Sequence, residues 1–136
     1  MNALVAEVPA LSAAVVDWLD GAPADVRTRV ERLRGLLHEV AVEVDAGQLV
    51  EEMKWGQPSF RSARGRESTP VRLDWTGDGD VLVLVHCQTS VIADFAATAG
   101  DRYRFDGTRA VVFGADDEVI DEDLVALFTH ALTYRR

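Results

Sequence analysis

One cysteine, Cys87, stands among the 136 residues. No intrachain disulfide can form, so the fold rests on its hydrophobic core, and an unpaired thiol points to a reducing compartment. Lysine is as scarce: of fourteen basic residues, all but Lys54 are arginine. Basic residues are outnumbered by 23 acidic ones, giving a net charge of −9. Without a basic stripe to meet phosphates, nucleic acid is not an expected partner. No run approaches the roughly 18 consecutive apolar residues of a membrane helix. The N-terminal apolar segment is broken by Glu7, Pro9 and Asp17 and follows no basic residue, so it does not read as an export signal. A soluble cytoplasmic protein is the expectation. There is no G-x-S-x-G elbow, P-loop or dinucleotide fingerprint either, which removes the best supports for a hydrolase or nucleotide enzyme.

What is present is enough for one domain, residues 1–136. A chain of this size buries roughly two thirds of its unfolded surface, and 48% hydrophobic content supplies an ordinary core. A short helix is expected from about Ala10 to Leu19, ending at Gly21. A longer one starts near Pro23 or Ala24, with an apolar stripe of Val26, Val30, Leu33, Leu37, Val40 and Val44 at helical spacing. On it Arg27, Glu31 and Arg34 are spaced so that Glu31 pairs within the helix.

From about Leu49 the period changes. Trp55 to Phe60 reads as extended, with Pro58 confining it to an edge or strand end. Val71 to Trp75 alternates like a half-exposed strand, Thr76 to Asp80 is turn chemistry, and Val81 to His86 is a central strand, so the pair forms a hairpin. Ser90 caps a helix through Phe95 that stops at Gly100. Two extended segments, Tyr103 to Phe105 and Arg109 to Phe113, are joined by Asp106-Gly107, and a last helix begins after Asp121. The sum is an α+β sandwich, a mostly antiparallel sheet of about four or five strands flanked by helices.

The richest chemistry lies in Glu52-Met53-Lys54-Trp55-Gly56-Gln57-Pro58-Ser59-Phe60, which sets a cation, an indole, a flexible glycine, an amide, a rigid proline and a second aromatic within nine residues. The segment suits a pocket wall for a small molecule, formed by Lys54, Trp55, Gln57 and Phe60. Gly56 would let the backbone approach the ligand and Pro58 would fix the turn. Trp75 would be its floor, and His86 or Gln88 its polar rim. Arg61, Arg64, Arg66 and Arg72 follow against only Glu67, a local excess that could grip a carboxylate or phosphate. A solvated loop and core packing of the aromatics are the competing accounts. The sole lysine could instead be an amine nucleophile if burial lowered its pKa, although no partner group is visible.

Other clusters are thinner. His86 and Cys87 would point to opposite faces if both lay on a strand, and a buried cysteine is commonly a small hydrophobe. The acidic run Asp116-Asp117-Glu118 and Asp121-Glu122-Asp123 lacks calcium-loop spacing and complements a helix start. Asp74, Asp78 and Asp80 suit turn chemistry. Edge strands next to Pro58 are compatible with a homodimer.

The Glu52–Phe60 segment resembles the signature of the YdhG-like family of domains of unknown function. His86-Cys87-Gln88-Thr89-Ser90, Tyr103 to Phe113 and Ala131-Leu132-Thr133-Tyr134 resemble one branch of it, so that most of the chain from about Ala24 onward is covered in order. The resemblance implies a frataxin-like fold. It also implies iron as a candidate ligand, since a member of the family has been treated as a frataxin-like iron chaperone. Frataxins carry iron on carboxylates of the first long helix and the neighbouring strand edge. In this chain those would be Glu39 and Glu43, one turn apart, with Asp45 just beyond and Asp25 and the Asp116 to Asp123 patch as secondary sites. A solvated helix face is the alternative.

Overall fold

The structure is a computed structural model that describes residues 8–136. The first helix, α1 (Ala13–Asp20), starts three residues later than the pattern predicts, because Ser12 caps it by accepting the Val15 N–H at 3.3 Å. The second, α2 (Ala24–Glu43), begins directly after Pro23 and buries Val26, Val30, Leu33, Leu37 and Val40. Its expected internal pair is displaced, since Arg34 turns inward instead, towards Glu51 on the sheet. Then come α3 (Val91–Ala99) and α4 (Asp121–Leu132). Ser90 precedes α3 but makes no side-chain cap; its hydroxyl donates to Asp94 Oδ2 at 2.9 Å.

The strands are β1 (Val50–Lys54), β2 (Gln57–Arg61), β3 (Val71–Trp75), β4 (Val81–Leu84), β5 (Arg104–Asp106) and β6 (Ala110–Phe113). They form one antiparallel sheet in the order β1-β2-β3-β4-β6-β5. The architecture is the α+β sandwich expected, with six strands where four or five were anticipated. The unexpected strand is β1, whose sequence Val-Glu-Glu-Met-Lys hides its alternation because Glu51 is on the core side.

Trp55 is accordingly not extended. With Gly56 it forms the two-residue turn of the β1–β2 hairpin, at φ of 52° and 75°. Positive φ at both central residues belongs to a type I′ turn, whose twist matches that of paired strands. Pro58 is not on an edge, since β2 lies between β1 and β3, but it does stand at a strand end, one residue inside the start of β2. Lys54 and Gln57 close the hairpin, which leaves Met53 and Pro58 as a non-hydrogen-bonded pair. The missing N–H of the proline therefore falls on the β3 side, where the register stops at Ser59. The edges of the sheet are β1 and β5.

Side chains alternate across a strand. One face carries Phe60, Val71, Leu73, Val81, Val83, Val111 and Phe113, which join buried residues of all four helices in a single core. The opposite face lies away from this core, and it carries the functional candidates.

Candidate functional site on the open face of the sheet

The open face starts from register. Glu52, Ser59, Arg72, Leu84 and Ala110 follow one another across β1, β2, β3, β4 and β6, and the next row begins Lys54, Gln57. Leu84 and Ala110 are buried yet stand outside the main core. Beside them a cavity of about 160 Å³ is lined by Glu52, Lys54, Trp55, Ser59, Arg61, Pro70, Arg72 and His86.

Arg72 is its fixed point. Its Nη1 donates to Gln57 Oε1 at 2.8 Å, and Gln57 Nε2 donates to Asp74 Oδ2 at 2.8 Å. The amide is thus held from both ends, which sets its orientation and that of the guanidinium. Asp74 is turned further by accepting the Trp75 N–H at 2.8 Å. The guanidinium carbon stands 5.3 Å from the centroid of the Trp55 ring, within cation–π range. Among the described residues no carboxylate forms a salt bridge with it, in contrast to Arg61, Arg64, Arg102, Arg104 and Arg109. Partial burial lowers the Arg72 pKa, the charge of Arg109 adds to that, and Asp74 opposes it. A guanidinium stays charged nonetheless. It offers donors in a plane suited to two oxygens of one anion.

The walls follow the same logic. Glu52 lies 3.6 Å from Lys54 Nζ and 3.5 Å from Arg61 Nε, so one carboxylate restrains two cations. Trp55 is 85% exposed. An indole in the left-handed region costs about 1–2 kcal/mol in backbone strain, and leaving it in water forfeits most of its burial energy. His86 lies in the turn after β4, where its Nδ1 accepts the Gln88 N–H at 3.1 Å. The neutral ring therefore carries its proton on Nε2 and presents a donor.

Of the residues singled out in the sequence, Lys54, Trp55, Arg61, Arg72 and His86 meet at this cavity, and Gln57 stands behind it, holding Arg72. Gly56 serves the turn: a Cβ there would meet nothing within 4 Å, so no close backbone approach is involved. Phe60 and Trp75 are on the helix-covered side, with Phe60 1% exposed and edge-on to His38, so neither forms wall or floor. Pro58 is buried on that side too. Gln88 is exposed and contributes only its backbone N–H to His86. Glu52, Ser59 and Pro70 complete the lining; Glu52 and Ser59 belong to the Glu52–Phe60 segment, whereas nothing in the sequence singled out Pro70.

The carboxylates on α2 do not converge. Glu39 and Glu43 are exposed, and Asp45, at φ 54°, pairs with Arg64 at 3.2 Å. No group of three His, Cys, Asp or Glu among the described residues could hold a metal ion. The acidic run is engaged elsewhere: Asp121 with Arg32, Asp123 with Arg102 and the Tyr103 hydroxyl, Asp117 with the Gly114 N–H. Asp80 pairs with Arg104. Cys87 is exposed, not a core residue, because β4 ends before it at Leu84.

Two features escaped the sequence. Under the β1 edge, Glu51 accepts from Arg34 and meets His38 Nε2, with Arg34 also donating to the Pro9 carbonyl at 2.6 Å. Burial works to raise the Glu51 pKa, but the hydrogen bonds and charges of His38 and Arg34 outweigh it and the net shift is downward. Nearby, a larger hollow of about 600 Å³ at the C-terminal end of α2 is lined by Pro9, His38, Val42, Gln48 and neighbours. Size alone does not make it the better candidate, because His38 is committed to Glu51 and Asp45 to Arg64, which leaves few polar groups to converge on a ligand.

Compared with protein-family models, with curated proteins and with solved structures, the chain matches none.

Proposed function

We propose that the chain is a non-enzymatic binding module that holds a small ligand in the open-face cavity, with Trp55 as lid and Arg72 as anchor. The observation that carries this reading is the placement of Trp55: a large apolar ring kept at positive φ and in water, directly beside a guanidinium that makes no salt bridge among the described residues. Unfavourable backbone geometry of this kind concentrates at ligand clamps. A ligand against both ring and cation would cover the indole and complete the charge. The enzymatic alternative needs burial to free the Lys54 amine, and that side chain is 52% exposed and paired with Glu52. Kinship with YdhG-like domains and a cytoplasmic setting, which the exposed Cys87 thiol suits, belong to the same proposal.

Ligand-detected NMR of a fragment library against the wild type and Trp55→Ala tests it. Fragments that bind the wild type are expected to lose their signal with the variant. Hits that persist undiminished would place binding elsewhere and overturn the reading.

A further inference from the structure

The cavity described above also restricts its occupant, provided that it is a binding site at all. We infer that its ligand is a flat, single-ring monocarboxylate, with the carboxylate on Arg72 and the ring against Trp55.

Volume gives the first limit. A cavity of roughly 150 Å³ accommodates one benzene ring, and the open-face cavity measures about 160 Å³. A nucleoside or a fused-ring cofactor would fill more than that space and project into solvent. Charge gives the second limit. Lys54, Arg61, Arg72 and Arg109 stand at or near the cavity, and Glu52, Asp74 and Asp106 balance all but one of them. One surplus positive charge suits a carboxylate, whereas a phosphate monoester carries about −1.5 to −2 at neutral pH. Donor geometry gives the third. Arg72 Nη1 is occupied by Gln57, but the remaining guanidinium N–H groups have no partner among the described side chains. The Nε2–H of His86 and the hydroxyl of Ser59, which is opposite Arg72 in the β2–β3 register, add neutral donors. With Glu52 engaged by Lys54 and Arg61, the polar groups left free are donors, which favours an acceptor-only group, and the single surplus charge makes a carboxylate the better match. The exposed indole supplies the matching flat surface, since stacked or edge-on aromatic pairs gain energy beyond simple burial.

Benzoate, benzamide and phenyl phosphate share the ring and differ in charge. Their titration into ¹⁵N-labelled full-length protein, read at the Trp55 indole N–H and the Arg72 Nε–H, tests the inference. Benzoate is expected to bind the wild type about tenfold tighter than benzamide, the size of one charge-assisted hydrogen bond. In Arg72→Met that preference should fall to about twofold or less, with the core amide resonances unmoved. Should Arg72→Met fail to fold, Gln57→Glu serves instead: it gives Arg72 an internal carboxylate and should erase the benzoate preference in the same way. Equal affinity for benzamide, or tighter binding of phenyl phosphate, would overturn the ligand class while the cavity remained a site. If none of the three moved the Trp55 indole, the site reading would fail with it.

Discussion

Arg72 lies on β3 and Trp55 in the β1–β2 turn, yet the guanidinium carbon of one lies 5.3 Å from the ring centroid of the other. Each is held by something behind it. Arg72 is oriented by the Gln57–Asp74 pair, and Trp55 by a two-residue turn whose backbone has positive φ. The contact is therefore set by the hairpin and the sheet register, and only secondarily by cation–π attraction, worth about 0.5–1 kcal/mol at an exposed position.

Trp55→Asn should separate stability from binding. Asparagine followed by glycine is a favoured type I′ pair, so relief of strain is expected to stabilise the protein by about 0.5–1 kcal/mol. Ligand binding should be lost at the same time. Urea denaturation reads the first effect and fragment titration the second. Marked destabilisation would mean that the indole contributes more through its contact with Arg72 than the turn loses by hosting it.

Gly56→Ala should act in the opposite direction. A Cβ there meets no atom within 4 Å, so the whole penalty is that of φ 75° in an L-residue, about 1 kcal/mol. A loss of that size by chemical denaturation, with the cavity resonances displaced, is the expected outcome. No change would show that the turn can adopt another type.

How much of this was legible beforehand depended on period. Helices α2 and α4 and the β3–β4 hairpin announce themselves by spacings of three, four and two, because each keeps a continuous apolar stripe, which on α2 runs beside the buried Arg34 and His38. Strand β1 does not, since Glu51 occupies a core-facing position and is tolerated only through Arg34 and His38, which are seventeen and thirteen residues away. A partner at that distance leaves no local trace. The same blindness misplaced Phe60 and Trp75: both belong to the aromatic-rich segments, but alternation turns them towards the helices. Lys54 and Trp55 were found because their neighbours are chemically dense, and Arg72 because arginines cluster after them. That Gln57 would hold Arg72 required knowing that β2 pairs with β3.

The Glu51 network gives a pH prediction. Its folded-state pKa is depressed by His38 and Arg34 despite burial, so it contributes stability that is complete above the unfolded carboxylate value. That stability is lost as pH falls through the ordinary carboxylate range, about 4.3, and below it. Melting temperatures measured from pH 7 to pH 3 should therefore fall more steeply for the wild type than for Glu51→Gln. Glu51→Gln should also be less stable at pH 7, because Arg34 then loses its only carboxylate partner among the described residues while remaining buried. Parallel profiles would show that Glu51 carries none of the acid sensitivity.

Gln57→Leu addresses the orientation of Arg72. Without the amide, Asp74 and Arg72 lose their bridge, and the guanidinium is free to leave the Trp55 ring. Affinity for cavity ligands should drop about tenfold, in line with one charge-assisted bond, with little change in global stability. Calorimetric titration checks the first and thermal unfolding the second. Unchanged affinity would mean that Trp55 alone positions Arg72.

The most direct measurement is a crystal of the wild type soaked with single-ring fragments and read as difference density. The account predicts density in the cavity against both the Trp55 indole and the Arg72 guanidinium, above Ser59 and within reach of His86. Density confined to the hollow beside His38 and Gln48, or no density on the open face at any fragment, would contradict it.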